Sequence, residues 1–186
     1  MPKFRLFKTP LSNQNQHNMK PKLTVLAIAC LLILNSCSQK QDPPKADLIN
    51  DEFPEAKAEV MAIMEELKQT IKDGNLDKLI AGHAYGPKFT EFKDGERRNG
   101  DKENEAYERG IFSNVTEVVK FEYDDLKIAV FDKVANVTLH TDFHFKFGEN
   151  DAIVKDQMTL LFVKTDEGWK CVHEHHSPLK QEQGEG

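Results

Sequence analysis

The period of the apolar positions changes partway along the chain. Val60, Met64, Leu67 and Ile71 recur at i, i+4, i+7 and i+11, the spacing of one helix face. Glu59, Glu65, Glu66, Lys68 and Lys72 fill the remaining faces. Pro54 suits a first turn and Gly74 a left-handed stop after Asp73, which bounds the helix. Asn75 can cap a short second helix carrying Leu76, Leu79 and Ile80. Pro87 to Asp94 reads as a strand ending in an Asp94-Gly95 turn. A third helix is predicted from about Lys102 to Phe112, with Tyr107 and Ile111 on one side.

From Val118 onward the period is two. Four strands are predicted: Val118 to Phe131 with a bulge at Asp124-Asp125, Val134 to Phe147, Ala152 to Lys164, and Trp169 to Ser177. In the second, Val137, Leu139, Thr141, Phe143, Phe145 and Phe147 share a face; Thr138, His140, Asp142, His144 and Lys146 share the other. Strict alternation in the last strand sets Trp169, Cys171, His173 and His175 against Lys170, Val172, Glu174 and His176. Helices followed by a run of long strands make an α+β domain. The expected form is a cone: about three N-terminal helices packed on a strongly curved antiparallel sheet, with a small-molecule pocket in the hollow.

A different pattern precedes this body. Met19-Lys20-Pro21-Lys22 leads into an apolar run from Leu23 to Leu34, too short to span a bilayer at ~20 residues. A basic stretch before a short apolar run is the form of a secretory signal. Its end, Leu34-Asn35-Ser36-Cys37, resembles the bacterial lipobox, which implies lipidation at Cys37. The polar stretch after it, with Pro43-Pro44, reads as a tether. The organisation expected is therefore a prefix and lipoprotein signal over 1–36, a lipidated Cys and tether over 37–52, one domain over 53–178 and a disordered tail over 179–186. By the same resemblance, Ser38 favours the outer membrane of a bacterial envelope, on its periplasmic or surface side.

Charge narrows the partners. The chain has 25 Lys+Arg and 31 Asp+Glu. Five of the basic residues and none of the acidic ones precede Cys37, so the rest holds 20 against 31. A body that acidic has no basic face for phosphates, and no nucleic-acid partner is expected. Contact with a membrane is expected through the lipid anchor alone. Of three cysteines, Cys30 lies in the signal and Cys37 is the lipid site, which leaves Cys171 without an intrachain disulfide partner.

The last two strands carry a family resemblance. Thr159-Leu160-Leu161-Phe162, Asp166-Glu167-Gly168-Trp169 and Val172-His173-Glu174-His175-His176-Ser177, with Asn75 after Gly74, resemble the nuclear transport factor 2-like superfamily in its SnoaL-like branch. The tryptophan-to-serine stretch is similar to the association domain of calmodulin-dependent protein kinase II. The superfamily includes ketosteroid isomerases, cyclases, dehydratases and non-enzymatic oligomerisation modules. Thr141, Leu160 and His176 stand where the association domain places carboxylate-binding arginines, so the resemblance does not extend to a carboxylate clamp.

The densest titratable cluster is His173-Glu174-His175-His176. Glu174 and His176, with Asp156 at the parity of Met158 and Leu160, are the catalytic candidates, because an imidazole beside carboxylates can move protons. The expected ligand pocket comprises Thr141, Phe143, Met158, Leu160, Phe162, Glu174 and His176. No metal and no cofactor is expected: His173 and His175 lack a third ligand, with His140 and His144 two strands away. The reading these observations favour is a non-catalytic module, binding a small molecule or homodimerising; the alternative is a SnoaL-like isomerase, dehydratase or cyclase working through a His/carboxylate pair.

Overall fold

A computed structural model describes residues 45–180 of the chain. Helix α1 spans Pro54–Lys72 and buries Val60, Met64 and Ile71, the predicted face. Its start is marked by Pro54 in the first turn, and Gly74 follows its end at φ 66°. Helix α2, Leu76–Ala81, begins where the Asn75 side chain accepts the Lys78 N–H at 3.1 Å. Strands β1 (Thr90–Lys93) and β2 (Glu96–Asn99) form a hairpin. Asp94 and Gly95 both have positive φ, the turn that matches strand twist in a two-residue connection. Helix α3 is Asp101–Phe112.

Five strands follow: β3 (Glu117–Phe131), β4 (Val134–Phe147), β5 (Asn150–Val154), β6 (Asp156–Thr165) and β7 (Gly168–Pro178). The register of β3 shifts between Asp124 and Lys127, at the bulge the sequence marks. Strand β4 alternates in burial along almost its whole length. The single strand expected over Ala152 to Lys164 is instead two, broken at Lys155. There the Asp156 N–H turns inward to the Thr141 hydroxyl, 2.8 Å away.

The sheet corrects the expected cone. Its order is β2-β1-β7-β6-β4-β3, with β5 also on β4. Most neighbours are antiparallel, but β1 runs parallel to β7, pairing Thr90 with His173 and Lys93 with His176. The sheet is therefore mixed rather than antiparallel, and it is neither strongly curved nor closed. Its two ends, β2 and β3, are separate edges. β2 reads Glu-Arg-Arg-Asn, a short charged strand of the kind that terminates a sheet without inviting further pairing.

A second difference lies in β7. Leu161 pairs with His173, but Phe162 pairs with Cys171, so Val172 is an extra residue on the β7 side. The bulge reverses parity. Trp169 and Cys171 before it, and Glu174 and His176 after it, are all buried, whereas strict alternation had set them on opposite faces.

The core has two adjoining parts. One gathers Val60, Met64, Phe89, Val137, Leu160 and Trp169; the other gathers Ile71, Leu79, Phe121, Phe143 and Phe145. Among the described residues no helix is long and apolar enough to cross a membrane. The expected signal over 1–36, the expected lipidation site at Cys37, the part of the expected tether before Lys45 and the part of the expected tail after Lys180 lie outside the described residues.

Candidate functional site

Between the three helices and the inward face of the sheet lies a cavity of about 240 Å³. One region of its wall is hydrocarbon. Phe121 stacks on Phe143 with ring centroids 3.8 Å apart, Phe145 meets Phe112 edge to face at 5.9 Å, and Met64, Leu67 and Ile71 close it from α1. The other region carries His83, Glu91, Glu108, Glu174 and His176. A mostly apolar wall with a few convergent polar groups is the usual form of a small-molecule site.

The polar region is assembled around the β7 bulge. The loop after α2 is pinned to it by backbone hydrogen bonds: Cys171 N–H donates to the Gly82 carbonyl at 3.0 Å and Ala84 N–H to the Cys171 carbonyl at 2.8 Å. This holds His83 against Glu174, with Nε2 and Oε1 2.6 Å apart. The other ring nitrogen, Nδ1, lies 2.9 Å from the Leu79 carbonyl, which can only accept, so Nδ1 carries a proton. Nε2 then either receives a proton from a neutral Glu174 or donates one to its carboxylate. Either way the pair holds one shared proton. Tyr85 stacks on the His83 ring at 4.9 Å with planes 3° apart.

Electrostatics favour the charged form of this pair. Burial works against ionisation of Glu174, but hydrogen bonds from His176 and His83 outweigh it and hold the carboxyl well below the usual carboxylate range. For His83, burial opposes the charge, yet the Glu174 hydrogen bond and negative charge push it up to about 9. His176 Nε2 lies 3.2 Å from Glu174 Oε2, and its Nδ1 is 3.9 Å from Asp156 Oδ2. Burial also raises the Asp156 carboxyl.

Opposite on α3, Glu108 Oε2 is buried with no hydrogen-bond partner. Burial first, and the negative charge of Glu174 second, push Glu108 up to about 7. Such a carboxyl exchanges its proton readily near neutrality. Glu91, beside Glu174 in the parallel register, is committed elsewhere. Arg98 grips it with Nη2 at 2.6 Å and Nε at 3.2 Å, and Asn104 Nδ2 donates at 2.8 Å. The guanidinium also lies over the Tyr107 ring at 3.5 Å. Arg98, although it stands beside Arg97 close to the Asp94-Gly95 turn, is 6% exposed.

Of the residues picked from the sequence, Glu174, His176, Phe143, Met158 and Leu160 line the cavity. Asp156 stands behind His176 rather than in the wall. Thr141 is spent on the Asp156 backbone, and Phe162 faces a second, rear hollow. Sequence reasoning missed His83, Glu91 and Glu108. Glu108 had a readable signal: Asn104, Glu108 and Ile111 fall at i, i+4 and i+7, which puts two polar residues on one face with an apolar one. His83, in a loop, had none.

Two groups among the described residues bring three ligand-type atoms within 4.8 Å of one another: His83, Cys171 and Glu174, and Glu91, Glu174 and His176. In the second, Arg98 already neutralises Glu91. The expectation of a non-catalytic module is corrected by this arrangement. A buried carboxyl oxygen without a partner, in the same cavity as a proton-sharing His/Glu pair, has the form of an acid–base site and removes the ground for leaning against catalysis; the arrangement is consistent with binding or with catalysis.

A family model described as "SnoaL-like domain" matches residues 60–181. No curated protein matches the chain. Among solved structures, it is similar to a candidate dehydratase of the NTF2-like family from Streptomyces avermitilis, at 17% identity and TM-score 0.62, covering 69% of this chain and 99% of that one. An NTF2-like protein of unknown function from Pseudomonas putida KT2440 aligns at 17% identity and TM-score 0.59, covering 73% and 95%. A candidate scytalone dehydratase from Novosphingobium aromaticivorans aligns at 14% and 0.58, covering 66% and 83%. At these identities the likeness is one of fold.

Proposed function

We propose, for a chain that belongs to the SnoaL-like domain family, that the cavity carries out proton-transfer chemistry on a small ring-containing substrate, a dehydration or the related isomerisation. Elimination of water needs one group to take a proton from carbon and another to deliver one to the departing hydroxyl. The C–H and C–O bonds break, a C=C bond forms and water leaves. Glu108 on α3 and the His83–Glu174–His176 chain on the opposite wall supply two proton-handling groups across one void. The aromatic region would seat the ring and exclude water, which strengthens every charge interaction at the reacting end.

The observation that carries this reading is the unpartnered Glu108 oxygen in the same cavity as a His/Glu pair that holds one proton. That two structures of this fold are candidate dehydratases supports the reaction class without identifying the substrate. The test is nuclear magnetic resonance in deuterated water, with a panel of cyclic β-hydroxy ketones as probes. Wild-type protein is expected to catalyse exchange α to the carbonyl, loss of water, or both. Glu108→Gln is expected to lower the rate by ~10²–10⁴-fold; a variant as fast as wild type would defeat the assignment. The reading of residues 1–52 adds that this domain works on a lipid anchor at Cys37. Cys37→Ala should then release the chain from membranes, and continued membrane association would defeat that part.

A further inference from the structure

The wall between the two hollows holds a set of donor atoms that the acid–base reading leaves partly unexplained. The rear hollow, about 260 Å³, is lined by Phe162 and Trp169 and by His83, Cys171 and Glu174. Those last three present nitrogen, sulfur and oxygen within 4.8 Å of one another. Cys171 is the free cysteine among the described residues, it is buried, and its Sγ lies 3.7 Å from Glu174 Oε1. Two of the three donors are also oriented from behind. His83 donates its Nδ1–H to the Leu79 carbonyl, so Nε2 is the nitrogen that a cation would meet once the proton shared with Glu174 leaves. Glu174 has its second oxygen on His176; the Cys171 thiol donates to the His173 carbonyl at 3.4 Å and would give up that bond on losing its proton to a cation. An imidazole fixed through its other nitrogen and a carboxylate fixed through its other oxygen are the supports that metal ligands characteristically have.

We propose that His83 Nε2, Cys171 Sγ and a Glu174 oxygen form a site for a zinc-class divalent cation that enters from the rear hollow, with the fourth position open toward that hollow. Nitrogen, thiolate and carboxylate together suit zinc and its cobalt surrogate rather than magnesium or calcium, which take oxygen ligands. The charges balance. The cation displaces the proton shared by His83 and Glu174 and the proton of the Cys171 thiol. A doubly charged ion is then met by one thiolate, one carboxylate and a neutral imidazole. The second donor group is the poorer site because Arg98 already holds Glu91. The consequence for catalysis rests on the acid–base reading above: with a metal in place the pair has no proton to share, so zinc switches the cavity off.

The experiment uses the full chain, freed of metal by chelation and then titrated with cobalt(II) or zinc(II). Cobalt is expected to produce a thiolate-to-metal absorption band with release of about two protons per ion. Cys30 and Cys37 contribute their own thiolates, so the diagnostic quantity is the wild-type spectrum minus that of Cys171→Ser. His83→Gln should remove the same difference band. Zinc should raise the unfolding temperature of the wild type and not of either variant. Wild type alone provides a check that survives a variant failing to fold: zinc should shift the His83 Nε2 resonance while Nδ1 keeps its proton. No difference band, or an unmoved Nε2 resonance, overturns the site whatever the exchange assay shows. If the band is present and zinc also stops deuterium exchange on the probe ketones, both readings stand. A band with exchange unchanged keeps the metal site and overturns the acid–base reading.

Discussion

The two regions of the cavity wall are built by opposite means. The aromatic one rests mainly on the regular alternation of β4 and the helical period of α1: Phe143 and Phe145 are buried because they sit on the inward face of a long regular strand, and Phe121 stacks on Phe143 from β3, between that strand's two register shifts. The polar one is made where regularity fails. Glu174 faces inward because β7 carries an extra residue at Val172. His83 reaches it from a loop, and Glu91 arrives on a short parallel strand. The regular region can be permuted among apolar residues of similar volume with modest loss. The irregular one depends on individual hydrogen bonds, and so it should respond to single-atom changes.

The largest effect expected from that contrast is on turnover. Glu108→Gln keeps shape and removes the titratable proton, so proton exchange on probe ketones should fall ~10²–10⁴-fold while the unfolding temperature stays level or rises. It does not fall because the wild-type carboxyl is buried with an oxygen unpaired, a state that costs stability. Phe143→Leu, in the regular region, should leave the rate of the chemical step within a few fold and act mainly on affinity. A Phe143→Leu variant as inactive as Glu108→Gln would erase the distinction between the two regions.

Stability separates them next. Glu174→Ala strands His83, His176 and the Cys171 thiol around a lost carboxylate, and breaking a buried pair from one side typically costs ~3–5 kcal/mol. Phe143→Ala removes a buried ring that is 7% exposed and should cost about 3–5 kcal/mol. The sharper comparison is the rescue. Leucine at 143 should recover most of the loss, because volume is what that site needs. Glutamine at 174 should not, because its amide oxygen can still accept from His83 but supplies no negative charge to keep the imidazole protonated. Denaturant unfolding curves with unchanged slope would measure both. Full rescue by Glu174→Gln would show the polar region to be packing like the other.

The same contrast explains what the sequence disclosed. Helix α1, the Asn75 cap, the β3 bulge and the bounds of β4 were legible because each rests on local chemistry: a 3.6 period, a capping side chain, a turn-forming Asp pair, a long alternation. The sheet's form was not. The parallel pairing of β1 with β7 joins segments 83 residues apart in sequence, as the Thr90 and His173 side chains show in hydrogen bonding across it, and four residues of β1 carry too little pattern to announce a neighbour. Glu174 and His176 stood out by composition, but their orientation relative to Cys171 depended on a bulge that no residue type at Val172 signals. Nothing in the Arg97-Arg98 pair beside a turn signals burial; that of Arg98 follows from Glu91, which meets it only once β1 and β2 pair.

The finest test of the comparison is the pH dependence of stability, measured with chelator present. His83 has its folded value raised to about 9 from ~6.5. Its contribution is complete below ~6.5 and is lost as pH rises through 9. Glu108, raised to about 7, is a carboxyl that the folded state prefers protonated. Its contribution is complete below the unfolded value near ~4.3 and is lost as pH rises through 7. Glu174, held low by its histidine partners, has the reverse sign: it contributes above ~4.3 and the contribution is lost as pH falls. Stability should therefore decline on the alkaline side in two steps and on the acid side in one. Glu108→Gln should delete the step near 7 and leave the one near 9, whereas His83→Gln should delete the step near 9. Phe143→Leu should lower the whole curve without moving either step. A parallel displacement of the curve in all three variants would mean that the polar region of the cavity responds as packing, not as a set of coupled protons.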